Sequence, residues 1–138
     1  QKTLGYADLK AKTNGGRYAY KIVAVRTLGN VTVRSAAGAA KTAYYVSVPS
    51  NIKLVNSTAR TIKVTYGRNA KAVGYEIRYS LKKNMAGAKV VKTKGASAAI
   101  AKLTKNKRYY ISVRSYKTVN KVTYYSAWST SKNIVVNK

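Results

Sequence analysis

Neither cysteine nor histidine occurs in the 138 residues of this chain, and the two absences together exclude a good deal of chemistry. Without cysteine there is no disulfide and no thiolate nucleophile; without both, most zinc and haem sites lose their ligands. Acidic residues are almost missing as well, with Asp8 and Glu76 set against 28 lysines and arginines. Calcium needs clustered oxygen ligands and a two-carboxylate hydrolase needs a convergent pair, and two acids in different parts of the chain supply neither. General acid–base catalysis needs a histidine, a carboxylate or a tuned lysine beside a nucleophile, and no lysine is marked out. The expectation is therefore a protein that is not an enzyme and carries no cofactor and no metal. No apolar run approaches the roughly 18 residues of a membrane span, and nothing reads as a signal peptide, so an export signal would lie outside this chain.

What is present is tyrosine, valine, isoleucine, threonine and alanine. There are 13 tyrosines and no phenylalanine, and apolar residues make up 46% of the chain. They recur in alternating runs, the pattern of a pleated surface buried on one side. Charge is the extreme feature, at a formal +26. Such a field repels itself, opposes aggregation and attracts polyanions. The basic residues are spread through every segment and fall on alternate positions, as at Lys63, Arg78, Lys92 and Arg114. That is the pattern of a solvated face, not of a compact nucleic-acid stripe, and no helix or groove-reading motif is visible, so no specific nucleic acid is expected as a partner.

The chain repeats itself at an offset of 91 residues. Arg17-Tyr18 aligns with Arg108-Tyr109, Thr27 with Thr118, Val31-Thr32 with Val122-Thr123, Ser35-Ala36 with Ser126-Ala127 and Lys41 with Lys132. Allowing three extra residues in the loop 10–16 extends the match to Leu9 with Leu103 and Tyr6 with Ile100. A period near 90 is too long for a solenoid and right for a small β-sandwich domain. The second copy begins after a short linker, 47–50, that holds the single proline, Pro49. Period-2 alternation predicts its strands over 52–55, 60–66, 74–80, 88–93, 98–103, 108–117, 122–125 and 132–137. The inward sets are Ile62/Val64/Tyr66, Tyr75/Ile77/Tyr79 and Tyr109/Ile111/Val113. The first copy holds counterparts of the last three strands only, at 3–9, 17–27 and 31–45. Three strands with one apolar face cannot close a sandwich, so residues 1–46 need a partner sheet, which a neighbouring chain could supply by β-augmentation. The domain reading is a partial repeat over 1–46 and a complete one over 47–138.

Several motifs, in this order and spacing, resemble the fibronectin type III domain, particularly the Lys-rich repeats of bacterial (Gram-positive) surface proteins. Leu103-Thr104-Lys105-Asn106-Lys107-Arg108-Tyr109 is similar to that family's tyrosine corner, in which a Leu ends one strand and the hydroxyl of the Tyr ties back to the connecting loop. Gly74 to Ser80 resembles the third strand, and Ile62 to Tyr66 the second, with Tyr66 where the family has a core Trp. Tyr125-Ser126-Ala127-Trp128-Ser129 resembles the Ser-x-Trp-Ser stretch before the last strand. The resemblance implies an all-β, immunoglobulin-like, seven-stranded antiparallel sandwich preceded by the last three strands of a second copy. It implies structural roles for Leu103, Tyr109, Tyr18, Tyr66, Tyr75, Ile77 and Tyr79. It also implies that Arg114 stacks on Trp128 near Tyr125, as in related receptor modules, either to cap the sandwich or to form a ligand platform for sugars or bases. The Arg-Gly-Asp of some animal members is absent; the corresponding hairpin, Tyr116 to Lys121, reads Tyr-Lys-Thr-Val-Asn-Lys. Glu76 is expected to form an exposed cross-strand pair contributing about 0.5 kcal/mol.

The function this implies is a non-catalytic structural or adhesive spacer of a secreted or cell-surface protein, extracellular, with neighbouring domains of the same parent as its partners. One alternative is a strand-exchanged subunit of a fibre or oligomer, partnered by other copies of the chain. Another is a module that binds a polyanion such as teichoic acid, an acidic cell-wall or host glycan, or nucleic acid.

Overall fold

The computed structural model describes residue 10 and residues 12–138. The expected strand at 3–9, with Tyr6 and Leu9, lies outside the described residues. Twelve strands and no helix are found among those described. The first four form two short ladders: β1 (Arg17–Tyr20) with β4 (Lys41–Tyr44), and β2 (Val25–Leu28) with β3 (Val31–Arg34). The other eight build two facing sheets. One sheet runs β5 (Lys53–Thr58), β6 (Thr61–Thr65), β9 (Ser97–Ile100). The other runs β11 (Val122–Tyr125), β10 (Arg108–Val119), β7 (Gly74–Ser80), β8 (Lys89–Thr93), with β12 (Lys132–Val135) also on β10. All pairings are antiparallel.

The strands form where β-branched and aromatic residues alternate with polar ones, and the two sheets meet on the apolar set of that alternation. Ile62, Val64, Ile77, Ile111 and Val113 are completely buried, joined by Ile52, Tyr66, Tyr75, Ile100, Leu103, Tyr109 and Val136. Tyr79, at the end of β7, is half-buried and packs against this core. Tyr66 fills its place without leaving its hydroxyl stranded: the ring centroid stands 4.7 Å from that of Tyr75, and the hydroxyl donates to the Gly95 carbonyl at 2.9 Å. Burial, helped by Tyr75, pushes the Tyr66 phenol above its ordinary range. A tyrosine can therefore take a core position provided the surrounding backbone supplies an acceptor.

The last strand is split. β11 pairs with the C-terminal half of β10 and β12 with its N-terminal half, so residues 47–138 hold eight strand segments. Between them the chain stays attached through side chains: the Ser115 N–H donates to Ser126 Oγ and the Val113 N–H to Ser129 Oγ, both at 3.0 Å.

The hairpin at 17–44 repeats this pattern. The Ala24 N–H donates to Ser35 Oγ at 3.0 Å, as Ser115 does to Ser126. Thr27 and Thr32 join hydroxyls at 3.2 Å, as Thr118 and Thr123 do. It differs in one respect. The expected strands over 17–27 and 31–45 are each broken; the second break recurs between β11 and β12, but β10 is continuous through the stretch corresponding to the first. The physical reason is the third strand. β7 pairs along β10 from Tyr110 to Tyr116 and holds it extended, and no described strand does this for β1 and β2.

Candidate functional site

The feature with the most concentrated chemistry lies on the outer face of the larger sheet. Register places Lys92 of β8, Glu76 of β7 and Arg114 of β10 side by side in one row. Glu76 Oε2 accepts from Arg114 Nε at 2.9 Å and from Arg114 Nη2 at 2.6 Å, and Lys92 Nζ stands 3.2 Å from Oε1. Glu76 is only 4% exposed. The carboxylate of the expected exposed pair is thus buried, because Arg114 and its aromatic cover close over it, while Lys92 stays largely exposed. Burial by itself opposes ionisation of Glu76. The hydrogen bonds from Arg114 and Lys92, and their charges, outweigh it and hold the carboxyl below its ordinary value. Lys92 in turn is held above its ordinary value, first by its hydrogen bond to Glu76 and then by that group's charge.

Above this row the cations stack on rings. Arg114 Cζ lies 3.9 Å from the Tyr125 ring centroid and 4.4 Å from that of Trp128, and Arg78 Cζ lies 4.5 Å from Trp128. The structure therefore brings Arg114, Tyr125 and Trp128 together. It adds Arg78, whose alternating position had suggested only a solvated cation; the register that sets it one row from Arg114 is a property of strand pairing and leaves no mark in the sequence. With two guanidinium groups over it, the half-buried indole is committed to protein contacts, which favours a capping role over a sugar or base platform. Trp128→Ala is expected to cost about 2 kcal/mol through two lost cation–π contacts and the uncovering of Glu76, read by urea denaturation.

The two corner tyrosines occupy equivalent places. Tyr109 is buried, packs 6.3 Å from the Tyr79 ring, and its hydroxyl accepts the Thr104 N–H at 3.1 Å. The Tyr18 hydroxyl accepts the Thr13 N–H at 3.2 Å, again five residues upstream. Leu103 is buried; its N–H donates to the Arg60 carbonyl at 3.0 Å, and its own carbonyl accepts Arg60 Nε at 2.6 Å. Tyr109→Phe is expected to destabilise by about 1–2 kcal/mol, because the Thr104 N–H loses its acceptor, and Tyr18→Phe by less, because its site is more open to water. Thermal unfolding of the two variants measures the difference.

A second cluster holds the hairpin to the sandwich. Asn69, buried at 8% exposure, exchanges amide hydrogen bonds with Asn14 at 2.7 and 3.2 Å and donates to Ser47 O and Oγ at 3.2 and 3.1 Å. The Ser47 N–H donates to Asn14 Oδ1 at 3.2 Å, and Ser115 Oγ donates to the Ser47 carbonyl. Further along, the Tyr124 hydroxyl donates to the Thr42 carbonyl at 3.2 Å, the Tyr44 and Tyr124 rings meet edge-on at 5.2 Å, and Lys117 lies over Tyr44. Val46 and Pro49 are buried. Nothing in the spacing of asparagines and serines announces this joint, since its members meet only through tertiary contact. Among the described residues no group of three or more acidic side chains is gathered where a metal could bind, and no helix is long and apolar enough to cross a membrane.

No protein-family model and no curated protein sequence matches the chain. Solved structures do. The chicken CNTN1 FN1-FN3 domains superpose with a TM-score of 0.58 at 20% identity, covering 87% of this chain and 42% of that one. The fold is that of fibronectin type III domains. A fn3 domain of human contactin 1 matches with a TM-score of 0.55 at 17% identity, over 67% of this chain and 78% of its own. A protein described as a myokine matches with a TM-score of 0.55 at 18% identity, over 67% of this chain and 98% of its own. This chain thus spans less than half of the multi-domain chicken structure. Two thirds is the share of the chain that residues 47–138 make up, so the match to the three-domain fibronectin type III segment necessarily includes part of 1–46.

Proposed function

We propose that the chain is a non-catalytic spacer of a secreted or cell-surface protein, of the Lys-rich fibronectin type III kind, that holds neighbouring domains at a set angle. The observation that carries this reading is the joint of Asn14, Ser47, Asn69 and Ser115, which pins the 17–44 hairpin to the sandwich through partly buried side-chain hydrogen bonds centred on the buried Asn69 and Ser115. A flexible tether would have no use for buried polar groups; a spacer that sets an angle would. The absence of cysteine makes the test simple, because introduced cysteines label uniquely. Spin labels at Lys21→Cys and Lys83→Cys are expected to give one narrow distance distribution that broadens in Asn69→Ala. A broad distribution in the parent sequence would overturn the reading.

One observation favours assembly as a second reading. Ile22 is 82% exposed, whereas Val113, at the same place in the complete copy, is wholly buried. Leu28, Val31 and Val33 are exposed as well. A sheet from another polypeptide packed as the second sheet packs on Val113 would bury Ile22, and the partner would be a further copy or a neighbouring module. Light scattering after size exclusion tests it: oligomers that Ile22→Asp disrupts support strand completion, and a monomer at millimolar concentration rules it out.

The basic surface allows anionic glycans as additional partners. Binding to a heparin-like polymer that persists at about 150 mM salt would support a dedicated role, since unspecific attraction is screened there.

A further inference from the structure

The three buried side-chain polar atoms left without a hydrogen-bond partner among the described residues are Arg78 Nε, Ser112 Oγ and Ser131 Oγ. They are neighbours. Arg78 of β7 is directly opposite Ser112 of β10, and residues opposite one another in an antiparallel pair share a face. Ser131 precedes the residue that pairs with Ile111, which brings it alongside Ser112 on the other flank of β10. The three residues therefore stand side by side across neighbouring segments, one row away from Glu76, with Trp128 against Arg78. An unpartnered buried donor is costly in isolation, and three in register call for a shared acceptor.

The charges decide what kind of acceptor. Glu76, the carboxylate of this face, is saturated by Arg114 and Lys92, which leaves the Arg78 guanidinium without a counter-charge in its row. One N–H and two hydroxyls can all donate, and the surrounding protein carries a formal +26. We propose that Arg78 Nε, Ser112 Oγ and Ser131 Oγ together bind one small inorganic anion of chloride size beside Trp128. The site goes beyond the spacer reading and stands or falls independently of it. Its effect is to lock the stacked face: the anion neutralises Arg78, and Arg78 in turn supports Trp128.

The test uses the whole chain at fixed ionic strength, with chloride or bromide exchanged against gluconate, which is too large to enter. Fixed ionic strength removes the general screening that any salt gives a protein of this charge. Chloride at about ten times its dissociation constant is expected to raise the melting temperature by roughly 5 °C. Bromide is expected to quench the single tryptophan in a saturable manner. In Ser112→Ala/Ser131→Ala both responses should disappear, and in the milder Ser131→Ala both should shift to several-fold higher halide. Two results would overturn the site. One is linear, collisional quenching with no halide-specific stabilisation, as a bound water in place of the anion would give. The other is a double variant that is more stable than the parent and keeps its chloride response, which would show the hydroxyls to be merely orphaned.

Discussion

Glu76→Gln is expected to destabilise the protein by about 2 kcal/mol at neutral pH, a large effect for a residue on the outer face of a sheet. The carboxylate is buried, accepts two hydrogen bonds from Arg114 on one oxygen and pairs with Lys92 through the other. Removing the carboxylate takes a charged acceptor from Arg114, a quarter of whose side chain meets water, and from Lys92, which is two-thirds exposed. The cost is therefore that of lost hydrogen bonds between charged groups and not of a stranded buried charge. Arg114 would keep its contacts with Tyr125 and Trp128, and for that reason the figure is no larger. The pH dependence has a definite sign. The folded-state pKa of Glu76 lies below that of the unfolded chain, so its contribution is fully present above about pH 4.3, the unfolded value, and is lost as pH falls through the depressed folded value. Urea denaturation from pH 7 down to pH 2 should show the parent losing stability in that window while the variant stays nearly flat, with the two converging at the acid end. Because Asp8 is the single other side-chain carboxylate, this window should account for most of the acid sensitivity. A variant that tracked the parent at every pH would show that the Arg114–Glu76–Lys92 row contributes nothing net.

An aspartate at Val113 should unfold residues 47–138, and the same substitution at Ile22 should leave their stability unchanged. The two positions correspond across the 91-residue repeat, yet one is wholly buried and the other 82% exposed. A carboxylate at Val113 would have no partner in a layer of Ile62, Val64, Ile77 and Ile111, which costs about 5 kcal/mol or more. That is comparable to the entire stability of a domain this size. At Ile22 the charge would face water. Circular dichroism at 25 °C separates the outcomes: loss of the folded signal for Val113→Asp, and retention with an unchanged melting temperature for Ile22→Asp. An Ile22→Asp variant that also unfolded would mean that the hairpin face is covered in solution, which is the assembly reading in another form.

These two experiments divide what is local from what is not. The inward set Ile62/Val64/Tyr66 and Tyr109/Ile111/Val113 follows from alternation, since a pleated strand turns every second side chain to the same face whatever it pairs with. The repeat of Ser35 and Ser126, each accepting a backbone N–H from the segment beside it, was visible as Ser-Ala at the same offset. Alternation does not say which strand lies next to which. The meeting of Glu76 with Arg114 and Lys92, the place of Arg78 over Trp128, and the contact of Asn14 with Asn69 across 55 residues all depend on register and on packing between distant segments.

The repeat itself was thus legible in the sequence, because hydrophobic phase and turn residues recur wherever the same local chain recurs. Whether a repeat is buried was not. Ile22 and Val113 fall at the same phase of the same repeat, and what separates a core residue from an exposed one is β7 paired beside β10 and the sheet of β5, β6 and β9 facing it. Burial is a property of the second sheet, and no single strand carries it.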